Sequence, residues 1–461
     1  MEPHSINKIA ENENCQTLEC EICALEKPFD LPLEIVNAYK DGDLVIFAGS
    51  GVSTESRGVF PSTFYQSIKN ELNLPEDKKI SFSKLMSCYC SPPRSRKNLL
   101  QAIIKRINYV KTFQELFYSA TEFHRMLSTI PHLDEIFTTN WDDFFETECG
   151  ATPIVTGPDF AILQDVVGRK VYKLHGSIYN YGSIVVTEED YRKYYKNLSR
   201  GIIGSKLKLL LASKTLVFFG FSFDDEDFQR LYRFLNKDVA GLMPQSYVIT
   251  LDMQAKEKLV SLGINATSII TSATFFVKQL KKKLVEEKLM LPDEQYDGID
   301  TKLIEVQAQH MNLSRLSILK HPNSLYSLWY QDGLMHAFQR LLTTKKTGEN
   351  SCAVHMIKII KSYDVLIKRY LHERNYPDVA YFTGYQAGLI YFLSDKTGRK
   401  SLSIYFLFGC NDIMSLKQYL KSEKDSSNLH KAAYKTAKAL ANSIRSEGLT
   451  IHRRPFLSTE I

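Results

Sequence analysis

The chain has 461 residues, 44% of them hydrophobic and 24% charged, which are ordinary globular proportions and enough length for two domains. Its net charge of +6, from 58 basic and 52 acidic residues, is too small an excess to point to nucleic acid. No apolar run reaches the ~20 residues of a membrane span, and the polar, acidic first thirty residues hold no apolar segment of a secretory signal. With eight scattered cysteines, these features place the chain in a reducing cytoplasm.

In chain order, residues 1–30 read as an irregular arm. Cys15, Cys20 and Cys23 within it are close enough to share a zinc ion, but a fourth ligand is not evident. A short helix over Leu31–Tyr39 leads to a buried strand, Leu44–Ala48. After a glycine turn, helices follow over Phe64–Leu72 and much of Lys78–Tyr118, broken at Pro92-Pro93. Strands are expected at Glu135–Thr138, Val171–Leu174, Ser183–Val186, Thr215–Phe219 and Tyr247–Leu251, the last of this half. Helices alternate with them: Trp141–Thr147, a segment capped by Thr187 that continues through Leu207–Ala212, Asp224–Leu235 and Phe275–Leu289. The basic run Lys278–Lys283 is followed by Glu286 and Glu287 and reads as a solvated helix face.

This alternation is the mark of an α/β fold, a doubly wound Rossmann-like parallel sheet. The polar stretch Pro292–Gly298 is expected to link it to a mainly helical C-terminal domain over 299–461. That domain contains long helical patterns at Ser327–Thr343, Ser351–His372 and Pro377–Leu393, and one β-like run, Leu402–Phe408. Gly384 and Gly388 within an aromatic stretch suggest a tight helix crossing.

Four polar clusters stand at strand ends, the edge where open parallel sheets bind ligands. Gly49-Ser50-Gly51-Val52-Ser53 can turn sharply and approach an anion. It lacks the third glycine of the dinucleotide fingerprint of hydride-transfer enzymes. Asn140 and Asp142 alternate after a strand and can face one cavity, although Asp142 or Asp143 can also cap the next helix. His175, before Gly176, carries the side chain suited to proton transfer near neutrality. Gly220-Phe221-Ser222 with Asp225 forms the fourth edge.

Together these segments, with Gly58-Val59-Phe60-Pro61-Ser62, resemble the sirtuin-like NAD-consuming domains, and more specifically their divergent bacterial branch in antiphage defence effectors. The resemblance covers roughly residues 35–285. Deacylating sirtuins carry a four-cysteine zinc module after the His-Gly segment, whereas this chain has no cysteine between His175 and Gly220.

The resemblance implies an NAD+ glycohydrolase, with NAD+ as substrate and no metal required. Asn140, His175 and Asp142 would be catalytic. Gly49, Ser50, Gly51 and Ser53 would hold the diphosphate, and Phe60 with Pro61, or Phe64, would cover the leaving group. Gly220, Ser222, Asp225 and Thr250 would hold the adenosine side. Regulation is expected through a homo-oligomer or a partner such as a HerA-type ATPase, an Argonaute-like protein or a phage component, without membrane or direct nucleic-acid binding. A protein deacylase and an NAD+- or ADP-ribose-binding module without turnover are the alternatives.

Overall fold

The computed structural model describes residues 25–455 except 57, 164–167, 222–228, 230, 231, 234–244, 396, 397, 411 and 424–427. Cys15, Cys20, Cys23, Ser222, Asp225 and most of the helix expected over Asp224–Leu235 lie outside the described residues. The chain divides into two compact units between Glu287 and Lys288.

In the first unit the described residues form a seven-stranded parallel sheet in the order β3-β4-β2-β1-β5-β6-β7. The strands are β1 (Leu44–Ala48), β2 (Glu135–Thr138), β3 (Thr152–Ile154), β4 (Lys170–Lys173), β5 (Thr215–Phe219), β6 (Ser246–Thr250) and β7 (Ala266–Ile270). β1 sits between β2 and β5, with Ile46 in register with both Ile136 and Val217. The order therefore reverses on either side of β1, which makes its carboxyl end the topological switch point. This is the doubly wound sheet expected from the sequence.

Every residue of β1 is buried, because both faces of the sheet are covered; that is why the strand reads as a continuous apolar run and not as an alternation. On one face Phe47, Phe137, Tyr172 and Phe218 form an aromatic row across four strands, with ring centroids 4.5–4.9 Å apart. Leu207, Leu210, Ala255 and Leu259 pack into the same cluster. On the other face Phe219 meets Phe123 at 5.0 Å and Phe276 at 5.4 Å.

The helices that matter for the site are α1 (Phe64–Glu71), α2 (Phe82–Tyr89), α3 (Arg96–Thr112), α4 (Phe144–Cys149) and α5 (Glu188–Arg200). A Thr63–Gln66 capping box starts α1, and a Thr187–Asp190 box starts α5. Ile68, Leu85, Leu99 and Ile103 give α1–α3 a small apolar core of their own.

In this unit three strand assignments differ from the sequence reading. Ser183–Val186 is not a strand: a 3-10 turn, Tyr181–Ser183, leads into an extended stretch whose Ile184 and Val186 fill the α1–α3 core. β3 and β7 were not expected. They are the two edge strands; β3 has three residues with a proline among them, and β7 is only partly buried. A proline is tolerated at an edge because a ladder N–H is not needed there.

The second unit is built on α6 (Ile299–Ser314), α7 (Ser324–Thr344), α8 (Ala353–His372), α9 (Tyr376–Leu393), α10 (Leu416–Ser422) and α11 (Asn428–Glu447). α7 and α9 cross where glycines leave no room for side chains. A Cβ at Gly333 would collide with the Tyr381 carbonyl, and one at Gly384 with the Tyr330 carbonyl.

The run Leu402–Phe408 is not a strand either. Three of its carbonyls are satisfied by side chains of α7: Ser327 Oγ donates to Phe406 at 2.9 Å, Tyr330 OH to Ser403 at 2.9 Å and Gln331 Nε2 to Ile404 at 3.0 Å, while the N–H groups of Ile404 and Tyr405 donate to the Ile413 carbonyl. The expected linker Pro292–Gly298 belongs to this unit as well. Tyr296 is buried in its core against Phe392, at 4.8 Å. Among the described residues no helix is long and apolar enough to cross a membrane.

Candidate active site

The ends of β1, β2 and β4 open onto one cavity of about 840 Å³, whose other wall is α1–α3. Ser50, Asn140, Asp142 and His175 line it together with Phe64 and Trp141. Polar and charged side chains alternate with aromatic and aliphatic ones around this concave lining, which suits a polar small molecule.

The glycines of the first turn answer to backbone packing. A Cβ on Gly49 would lie 2.6 Å from the Gly220 carbonyl oxygen, one on Gly51 would lie 2.9 Å from it, and one on Gly220 would lie 2.7 Å from Val52 N. The turns after β1 and β5 therefore touch backbone to backbone. The N–H groups of Gly49 and Gly51 donate to the carbonyls of Phe219 (2.8 Å) and Gly220 (3.0 Å). Of the turn, Ser50 and the following Thr54 line the cavity.

Ser53 is wholly buried, and its hydroxyl donates to Asp142 Oδ2 at 2.5 Å. Asp142 also accepts from the Phe144 N–H at 3.2 Å, the capping contact that its position suggested. Its carbonyl accepts from Lys173 Nζ, a buried ammonium that also lies 3.2 Å from Glu146 Oε1. Burial pushes the Asp142 carboxyl above its ordinary range, against the pull of Lys173 and the Ser53 hydrogen bond. Burial raises Glu146 likewise, against the same lysine. Asp143 faces elsewhere: although burial pushes it up, hydrogen bonds from Lys111 and Tyr179, each 2.7 Å, hold it below its ordinary value.

Asn140 is held from two sides. Its N–H donates to Thr138 Oγ1 at 3.0 Å, and Nδ2 donates to the Gly49 carbonyl at 3.1 Å. A carbonyl can only accept, so the amide orientation is fixed by chemistry. Oδ1 is left buried and, among the described residues, without a partner. A buried acceptor of this kind is costly unless something else satisfies it.

His175 follows β4. Gly176 after it has φ +87° and packs against the backbone of Ser183, so only glycine fits. The Val185 N–H donates to the His175 carbonyl at 3.0 Å, which explains why the segment after Ser183 runs alongside. The ring stands edge-on to Tyr191 and Tyr194, each at 5.2 Å. Burial lowers its pKa to about 3, so the imidazole is neutral at physiological pH.

Sequence reasoning missed Arg106 and Glu55, which also line the cavity. Arg106 Nε pairs with Glu55 Oε1 at 3.0 Å, and its Nη2 donates to the Ser62 carbonyl at 2.9 Å. Glu55 Oε2 accepts from the Phe64 N–H at 2.8 Å. The guanidinium lies 3.8 Å over the Phe60 ring, so the Phe60-Pro61 loop is strapped to α3. No spacing in the sequence announces a pair 51 residues apart. Phe60, Pro61, Gly220 and Thr250 are not among the cavity-lining residues; Thr250 Oγ1 accepts from the Asp252 N–H at 3.1 Å.

Part of the unit that carries this site is similar to the SIR2-like domain. The model of that domain matches residues 134–266, which include Asn140, Asp142, His175 and Gly220. The resemblance read from the residues is thereby borne out.

The chain is 31% identical to the NAD(+) hydrolase ThsA of Cytobacillus dafuensis over 42% of this chain and 38% of that protein. To the NAD(+) hydrolase ThsA of Enterococcus faecium it is 30% identical, over 42% of this chain and 40% of that protein. It is 26% identical to Defense-associated sirtuin 2 of Bacillus subtilis, over 44% of this chain and 20% of that protein. The matches thus span less than half the length of these relatives.

Proposed function

We propose that the α/β unit is an NAD+ glycohydrolase, which cleaves the nicotinamide–ribose bond to give nicotinamide and ADP-ribose. In this reading the chain is a cytoplasmic effector that depletes NAD+ in bacterial antiphage defence. The observation that carries the reading is the convergence of the unpartnered Asn140 Oδ1 and the neutral His175 on one cavity beside the glycine turn. The names of the relatives, NAD(+) hydrolases and a defence-associated sirtuin, support it.

The bond breaks with its electron pair leaving on nicotinamide, whose ring nitrogen becomes neutral, while the ribose gains oxocarbenium character. Such a reaction needs orientation and fixed dipoles more than a strong acid. Asn140 Oδ1 accepts from a ribose hydroxyl or the attacking water. When the water oxygen bonds to the ribose carbon, its proton passes to the neutral His175 and then to solvent. A weak base suffices, because the water becomes acidic as it adds to a cation. Asp142 accepts from the carboxamide of nicotinamide, and Ser53 and Lys173 hold it in place. Phe64 and Trp141 wall off bulk water.

Ser50 faces the diphosphate, with Gly49 and Gly51 setting its position through the packing of the two turns. The strapped Phe60-Pro61 loop closes the leaving-group side. Gly220, Ser222, Asp225 and Thr250 serve the adenosine end. The helical unit restrains the activity through homo-oligomerisation or a partner.

The test is nicotinamide release by the wild-type chain, Asn140→Ala and His175→Ala. Each variant should lose at least about a hundredfold in rate with the fold intact. Full activity in both would remove the assignment.

A further inference from the structure

Three side chains from three separate segments of the helical unit meet at one point. His310 lies on α6, Asp332 on α7, and His452 in the segment after α11. His310 Nε2 is 3.0 Å from His452 Nδ1, and each of these nitrogens is 3.6 Å from Asp332 Oδ1. A tetrahedral zinc ion bound at about 2.0–2.1 Å holds its ligand atoms roughly 3.3 Å apart. The observed triangle has edges on either side of that value.

Hydrogen bonding alone leaves this arrangement poorly accounted for. Two neutral imidazoles can share one N–H, but at 3.6 Å neither donates to the carboxylate oxygen that faces both. Asp332 is almost fully buried, and its other oxygen accepts from the Arg453 N–H at 2.8 Å, which aims Oδ1 at the two rings. Ligating carboxylates are held in this way by outer hydrogen bonds. A metal on His310 Nε2 would fix the ring proton on Nδ1, which is buried and unpartnered among the described residues. Gln331, which interacts with this ring, carries a likewise buried Oε1, an acceptor of the kind that proton needs. The His452 side chain is 57% exposed, so an ion has an entry path and room for a water.

We propose that His310, Asp332 and His452 bind a zinc-class divalent metal ion, with water as fourth ligand, which clamps the C-terminal segment onto α6 and α7. Two imidazoles and one carboxylate suit such an ion better than magnesium or calcium, which prefer all-oxygen sites. The segment is already brought there by the Trp329 indole N–H, which donates to the Ile451 carbonyl at 2.6 Å, and by Arg453, which pairs with Asp378. The clamp is separate from the NAD+ chemistry. The two histidines are 142 positions apart, so no sequence spacing signals them.

The full chain, stripped with chelator, would be titrated with Zn2+ by calorimetry and with Co2+ by visible absorption, and its Tm measured with and without Zn2+. His452→Ala, at an exposed position, and His310→Gln would be run beside it. The expected result is near-equimolar binding, ligand-field absorption without a thiolate charge-transfer band, and a Tm raised by several degrees. Both variants should lose all three, and Mg2+ should not compete. The proposal is overturned if the wild type takes up neither ion, if His452→Ala binds as tightly, or if the only signal is thiolate absorption from the N-terminal cysteines.

Discussion

Ser53 Oγ and Asp142 Oδ2 are 2.5 Å apart, a hydrogen bond that ties the turn after β1 to the loop after β2. The hydroxyl that the sequence offered to a phosphate is spent inside the protein. It orients a carboxylate whose burial otherwise favours the neutral acid. Ser53→Ala leaves a buried acceptor with one partner fewer. Denaturant unfolding should show a loss of about 1–3 kcal/mol. Nicotinamide release should fall by more than that stability loss accounts for, because Asp142 is no longer held.

Lys173 is the only cation within hydrogen-bonding reach of the Asp142 carbonyl and Glu146 among the described residues, and its side chain is fully buried. Lys173→Met removes a buried charge and leaves its partners unpaired. Chemical denaturation should register about 3–5 kcal/mol of destabilisation. The double variant Lys173→Met/Glu146→Leu should recover part of it, since the second change removes one orphaned carboxylate.

Two glycines with positive φ make contrasting predictions. Gly220 has φ +67°, and a Cβ there would lie 2.7 Å from Val52 N. Gly58 has φ +86° with nothing within 4 Å of its Cβ position. Gly58→Ala should cost only the left-handed penalty, about 1–2 kcal/mol. Gly220→Ala must also push two turns apart and should lose the cooperative melting transition or shift it far lower. Melting curves of the two variants, side by side, check this.

The buried histidines set an acid limit on stability. His124 and His175 both have pKa values lowered by burial to about 3, against 6.5 for a free ring. Between those values the unfolded chain binds more protons than the folded one. Stability therefore falls as pH falls from about 6.5 towards 3, by roughly 2 kcal/mol per ring at pH 5. Unfolding free energies measured from pH 8 to 5 should show this slope. His124→Leu, which places an apolar side chain among Phe123, Phe144 and Phe145, should remove its share.

The sheet was legible because β1 and β5 are short apolar runs buried on both faces, each ending in a glycine turn. The carboxyl edge followed from that, and with it Asn140, Asp142 and His175. What the sequence hid was of two kinds. Runs such as Ile184–Val186 and Leu402–Phe408 are apolar because they fill helical cores, with their backbone satisfied by a mixture of side chains and isolated backbone contacts in place of a strand ladder. Periodicity does not distinguish these cases. The Arg106–Glu55 strap and the use of Ser53 depend on pairs brought together only by the fold.

The decisive measurement is nicotinamide release from NAD+ by the purified chain, with Asn140→Ala beside it. The wild type should release nicotinamide and the variant should not, with unchanged circular dichroism. Tight NAD+ binding by the wild type with no release, whatever partner or assembly state is supplied, would contradict the glycohydrolase assignment and leave a binding module in its place.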